Sequence, residues 1–87
     1  MMAKIEVYSG QYCAFCMRAK SLLKQRQLEF VEYDVQAEPE RRAEMAERAP
    51  GARTIPQIFI NDRHIGGCDE LYALDRKGEL EKWVANA

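Results

Sequence analysis

Cys13 and Cys16 stand three positions apart in the stretch GQYCAFCMRAK. Two thiols at that spacing can work as a redox dithiol, as half of a metal site, or as a small structural clasp. The redox role needs a thiolate, and an isolated cysteine with a pKa near 8.5 is only about 3 % ionised at neutral pH. Lowering that pKa by two units takes about 2.7 kcal/mol of preferential anion stabilisation. The free N–H groups and positive dipole end of a helix N-terminus supply part of it. A thiolate at Cys13 would attack a disulfide, and Cys16, one turn further in and more buried, would displace the bound partner from the mixed disulfide. As a clasp the pair would contribute only roughly 2 kcal/mol, because the closed loop is so short. As metal ligands the two would join His64 and Cys68 of HIGGC in a Cys3His zinc set. His64 by itself reads as a solvent-facing strand residue.

The elements that must hold these residues follow from periodicity. KIEVY alternates, with Ile5 and Val7 on one face, and reads as a strand ending near Tyr8. From Ala14 to about Gln27, with no Gly or Pro, Cys16, Ala19, Leu22 and Leu23 recur at helical spacing. LEFVEYDV reads as a second strand, with Val31, Tyr33 and Val35 on one side, so the first three elements predict a right-handed parallel crossover. Pro39 suits a first helical position, and PERRAEMAERA continues as a charged helix with a solvated face and a Glu44–Arg48 pair at supportive spacing. TIPQIFI is an apolar strand, NDR a turn, and HIGG the returning strand of a hairpin. Asp69 is expected to cap a helix carrying Leu71 and Leu74, and a last segment beyond Gly78 presents Leu80, Trp83 and Val84. The predicted order is β-α-β-α-β-β-α, an α/β fold.

At 87 residues the chain has room for one domain, spanning 1–87, and one modest core. Its 47 % apolar and 31 % charged residues exclude wholesale disorder and fibrous repeats. A net charge of -1 gives no field to attract phosphate backbones or anionic lipid, so neither nucleic acid nor membrane is expected as a partner. No apolar run approaches the roughly 20 residues of a membrane span. MMAKIEVYSG lacks the apolar core and cleavage site of a secretory signal, so the cytoplasm is the expected compartment. Three cysteines in such a chain point to reactive or metal-binding thiols rather than a disulfide framework, with one left unpaired.

A second constellation lies in RTIPQIF and GGCDEL. Proline inside an apolar strand removes a ladder donor, so Pro56 either opens the strand in the trans form or bends it in the cis form. A cis bend would expose the N–H and C=O of Ile55 to an extended peptide ligand. GGCD joins a flexible approach to a helix start whose N–H groups can hold a carboxylate, or it is simply a glycine turn before a cap.

Taken together, CAFC after the first strand, TIP before the third and GGCDELYALD near the end resemble the glutaredoxin family, particularly its short dithiol bacterial members. The resemblance spans nearly the whole chain and implies a thioredoxin-like fold, a four-stranded mixed sheet flanked by helices, with a cis Pro56. It implies glutathione as cosubstrate, and glutathionylated or disulfide-containing proteins as partners of a monomer. By the same resemblance the Ile55 main chain would pair with the glutathione cysteine, flanked by Thr54. Cys68 and Asp69 would hold the γ-glutamyl end, and Pro56 and Gly67 would line the same site. Tyr12 and Phe15 would border the groove, and Arg53 or Gln57 would meet the glycine carboxylate. The Cys68 thiol would be a spectator or a glutathionylation site.

Two departures from the family matter. The common C-P-Y-C becomes Cys13-Ala14-Phe15-Cys16, and a lysine often found three residues before the first cysteine is Gly10 here. Ala14 restores an N–H that proline lacks, offering the thiolate a donor, while the missing cation must be replaced by Arg18 or Lys20 or go without. In some members, loss of that proline accompanies a glutathione-ligated [2Fe-2S] cluster bridging two subunits, which is the alternative function. The cluster carriers with a C-G-F-S pattern keep one active-site cysteine, and Cys16 sets this chain apart from them.

Overall fold

The computed structural model describes residues 3–85, so the outermost residues of the expected 1–87 domain, and the first two of the stretch read for a signal, lie outside the described residues. Among the described residues eight elements follow one another: β1 (Ile5–Ser9), α1 (Ala14–Gln25), β2 (Val31–Asp34), α2 (Pro39–Arg48), β3 (Gln57–Ile60), β4 (Arg63–Gly66), α3 (Cys68–Arg76) and α4 (Leu80–Ala85). The strands form one mixed sheet in the order β2-β1-β3-β4. β1 and β2 are parallel, as a strand-helix-strand crossover requires, and the β1–β3 and β3–β4 pairs are antiparallel. No helix among the described residues is long and apolar enough to cross a membrane.

Several boundaries differ from the sequence pattern: β3 starts at Gln57 rather than Thr54, after the Ile55–Pro56 bend, β4 takes in Arg63 and ends at Gly66, and α1, β2 and α3 shift for local reasons. α1 stops at Gln25 rather than Gln27 because Gln27 adopts a left-handed φ of 59°. Its N–H then bonds the Lys24 carbonyl, and the Leu28 N–H bonds that of Leu23, the double closure of a Schellman motif. Leu28 and Phe30 leave this exit to pack against the core, which delays β2 to Val31. The same motif at Gly78, with φ 70°, separates α3 from α4. α3 begins before the expected cap: Gly67, not Asp69, is the capping residue, and Asp69 sits in the first turn. The predicted turn at NDR is present, with Asn61 and Asp62 both at positive φ, the geometry a two-residue hairpin favours. Asn61 also receives the Lys4 N–H and donates to the Trp83 carbonyl, tying the hairpin to both ends of the chain.

β1 is buried along its whole length because helices cover both faces of the sheet. On one face Ile5, Val7, Ile58 and Ile60 meet Ala19, Leu22 and Leu23 of α1, with Leu71 and Leu80. On the other, Tyr8 and Phe59 meet Met45 and Ala49 at the α2 end. The alternation in β1 thus separates two cores rather than core from solvent. Glu6, on the α2 side, is buried and accepts hydrogen bonds from Arg48 at 3.0 Å and the Tyr33 hydroxyl at 2.9 Å. The expected Glu44–Arg48 pair is replaced accordingly: Glu44 takes Arg41 and the Tyr8 hydroxyl, while Arg48 turns inward. Long-range partners in a low-dielectric pocket outcompete an exposed i,i+4 pair, which is worth only about 0.3–0.5 kcal/mol.

Burial and the hydrogen bond to Glu44 push the Tyr8 phenol up to about 12 from an ordinary 10.0. The fold therefore favours the neutral phenol. That contribution is complete below the unfolded value near 10 and is lost as the pH rises toward about 12. Urea unfolding midpoints are expected to fall across this window, and the fall is expected to be shallower in Tyr8→Phe. An equally steep decline in both proteins would rule Tyr8 out as its source.

Candidate active site

Cys13 lies where β1 hands over to α1, at the capping position just before the helix. The turn between them is made by Gln11 and Tyr12, the latter at φ 54° and fully exposed. Helical spacing then buries Cys16 completely beside Ala19, while Cys13 stays half-buried and reachable. The two sulfurs are joined as a disulfide, and Cys13 Sγ accepts the Cys16 N–H at 3.1 Å. This donor, three residues into the helix, is the one that reaches the sulfur, rather than the Ala14 N–H emphasised by the sequence. On reduction it is in place to hold an anion at Cys13, as helix N-termini do.

The second constellation closes on the first. Ile55–Pro56 is a cis peptide, as the resemblance implies, and the Ile55 carbonyl lies 3.8 Å from Cys13 Sγ. Across from it the chain leaves β4 through Gly66 and Gly67 and enters α3. A Cβ at Gly67 would stand 3.2 Å from the Pro56 carbonyl, so glycine lets the two segments approach. The Glu70 carboxylate takes the Gly67 N–H at 2.7 Å and fixes the entry to the helix. Between these segments runs an open groove of about 300 Å³, lined by Phe15, Thr54, Ile55, Pro56, Gly67, Cys68, Asp69 and Glu70.

Seven of the expected ligand-binding residues therefore line one groove beside Cys13, and three do not. Tyr12 lines a separate hollow, which it shares with Cys13, Met17, Lys20, Glu32 and Asp34. Arg53 is exposed outside the groove residues. Gln57 is buried, and its side chain is engaged by Thr54 and His64 instead. Glu70 joins the groove without having been expected there, although its place three residues after Gly67 matches capping-box spacing. The zinc set is not assembled: among the described residues no three His, Cys, Asp or Glu side chains converge. The Cys68 side chain is buried, and that burial pushes its thiol up, which favours the neutral form.

Both candidate substitutes for the absent lysine have partners of their own, although Lys20 shares a hollow with Cys13. Lys20 is bound by Glu32 at 2.7 Å, and Arg18 lies over the Tyr72 ring at 5.4 Å. At position 10 the space a side chain would take is filled by the ends of the Gln36 and Ile55 side chains. A Cβ there would come within 2.7 Å of Gln36 and 2.9 Å of Ile55, and Gln36 uses that space to accept the Gln11 N–H at 3.0 Å. The donor in place at the Cys13 sulfur is the Cys16 N–H of the helix start.

Residues 5–65 match the sequence profile of the glutaredoxin family. A probable glutaredoxin of Synechocystis sp. is 56 % identical over 79 residues, covering 91 % of this chain and 90 % of that protein. The solution structure of a glutaredoxin from Brucella melitensis superposes with a TM-score of 0.83 at 48 % identity, covering 95 % of this chain and 89 % of the other. A buckwheat glutaredoxin–glutathione complex superposes with a TM-score of 0.85 at 30 % identity, covering 94 % and 76 % of the two chains. Profile, relatives and geometry agree that the fold is thioredoxin-like, that Cys13 and Cys16 form a redox pair for thiol-disulfide exchange, and that the chain belongs to the glutaredoxin family.

Proposed function

We propose that the protein is a glutathione-dependent oxidoreductase that reduces protein–glutathione mixed disulfides and protein disulfides. The observation carrying this reading is the reachable Cys13 sulfur at the start of α1, 3.8 Å from the carbonyl of a residue that lines the groove. A tripeptide can lie in that groove with its cysteine paired to the Ile55 main chain, flanked by Thr54, Pro56 and Phe15. Its γ-glutamyl carboxylate meets the first N–H groups of α3 at Cys68, and its ammonium meets Asp69, one charge of each sign for each end. The similar buckwheat glutaredoxin in complex with glutathione supports the choice of ligand.

In the first step the Cys13 thiolate attacks the glutathione sulfur of the mixed disulfide. A Cys13–glutathione disulfide forms, and the protein leaves as a thiolate that takes a proton from water. A second glutathione thiolate then attacks the bound glutathione sulfur, releasing oxidised glutathione and the Cys13 thiolate. With a protein disulfide, Cys13 forms the mixed disulfide with the protein. Cys16, once deprotonated, attacks Cys13 Sγ and frees the reduced protein, leaving the Cys13–Cys16 disulfide for two glutathiones to reduce. This work suits the cytoplasm, where glutathione keeps thiols reduced. One chain carries both thiols and the whole groove, so a monomer suffices.

Glutathione, glutathione reductase and NADPH are expected to drive turnover of a glutathionylated protein. Thioredoxin reductase with NADPH alone is expected to give none. Turnover with thioredoxin reductase only, or none with glutathione, would overturn the glutathione reading.

A further inference from the structure

His64 stands on β4, outside the groove, yet it is linked to the groove by one side chain. Its Nε2 lies 2.6 Å from Gln57 Oε1, and Gln57 Nε2 donates to the Thr54 carbonyl at 3.0 Å, with the Thr54 hydroxyl at 3.5 Å. The hydrogen positions follow from chemistry. A carbonyl oxygen only accepts, so Gln57 must present its amide nitrogen to Thr54 and its oxygen to His64. His64 must then carry a proton on Nε2. The imidazole is held in turn against Phe59, with centroids 4.9 Å apart. Phe59 and His64 are opposed in the β3–β4 ladder, next to an irregularity in register between Ile58 and Phe59.

We propose that His64 is a positioning residue for the groove: through Gln57 it fixes the Thr54 carbonyl, and with it the orientation of the Ile55 main chain. The inference rests on the reading that glutathione pairs with that main chain. Thr54 and Ile55 lie between α2 and β3, outside any ladder. Among the described residues Gln57 is the side chain that bonds the Thr54 carbonyl. An unanchored glutamine amide can turn about its last bond, and the His64 donor stops it with the nitrogen facing Thr54. This accounts for why the Gln57 amide does not line the groove, and why an apolar β3 strand carries a buried glutamine.

The wild-type protein tests the first link without any variant, since nitrogen NMR of the imidazole distinguishes the Nε2–H from the Nδ1–H tautomer. Nε2–H is expected, and Nδ1–H would overturn the proposal. Three variants test the rest, because asparagine mimics the Nδ1 position of histidine and glutamine the Nε2 position. In His64→Leu and His64→Asn, amide exchange at Thr54 and Ile55 is expected to quicken, and glutathione to bind about fivefold more weakly, the scale of one hydrogen bond. His64→Gln is expected to stay within about twofold of wild type in both measurements. Unchanged exchange in His64→Leu, or equal behaviour of the asparagine and glutamine variants, would overturn the brace. If wild-type protein fails to bind glutathione, the ligand assignment falls instead, and the exchange rates still decide whether His64 holds the loop.

Discussion

Cys13→Ser is expected to abolish turnover of a protein–glutathione mixed disulfide, a loss on the order of a thousandfold or more, because a serine hydroxyl is almost wholly protonated at neutral pH. Cys16→Ser is expected to keep that turnover within about one order of magnitude. It should lose reduction of protein disulfides, which need a second thiol on the enzyme. The asymmetry follows from placement one helical turn apart. Cys13 caps α1, is reachable, and has the Cys16 N–H at 3.1 Å and the carbonyl of the groove residue Ile55 at 3.8 Å. Cys16 is fully buried, so its route to a partner runs through Cys13. Coupled assays on the two variants, with a glutathionylated protein and then a protein disulfide, separate these roles. Equal losses on the mixed disulfide would mean that Cys16 takes part in the first attack, and the division of labour would fail.

Features that depend on neighbours in the chain are legible in the amino-acid sequence. The Cys13–Cys16 spacing, the anomalous Pro56, the paired glycines at 66 and 67 and the turn at Asn61–Asp62 are each confined to a few residues, and all four lie where expected. Features that depend on what the fold brings from afar are not. Gln57 has the chemistry to bind a carboxylate, and only β4 pairing shows that His64 and Thr54 occupy it. Nothing near Gly10 announces that Gln36 fills its missing side chain. Glu6 alternates with Ile5 and Val7 as a solvent-facing strand residue would, and its burial follows from α2 crossing that face. The cap falls at Gly67 rather than Asp69 because glycine is also an acceptable cap, and local preference does not choose between them.

The longest of these hidden pairings carries the largest expected effect on stability. Arg48 approaches Glu6 at 3.0 Å and the Tyr8 hydroxyl at 2.8 Å, and its guanidinium lies 4.0 Å over the Phe59 ring. The Glu6 side chain is only 5 % exposed, and the guanidinium beside it is held protonated well above its ordinary range. Removing Arg48 leaves a buried carboxylate with the Tyr33 hydroxyl and, at 3.9 Å, Lys4. Orphaning one half of a buried pair costs about 3–5 kcal/mol. Arg48 is itself 23 % exposed and Lys4 compensates in part, so Arg48→Met is expected at the lower end, about 3 kcal/mol, which lowers the melting temperature of a domain this size by roughly 12 °C or more. Glu6→Gln in the Arg48→Met background is expected to recover part of the loss, since a neutral amide is less costly to bury than a lone carboxylate. Arg41→Ala, which breaks the more exposed pair with Glu44, should cost clearly less than Arg48→Met. Urea denaturation of the three variants decides the matter: if Arg48→Met costs no more than Arg41→Ala, α2 is held chiefly by the apolar contacts of Met45 and its cap Ala49, and the Arg48–Glu6 pair adds little.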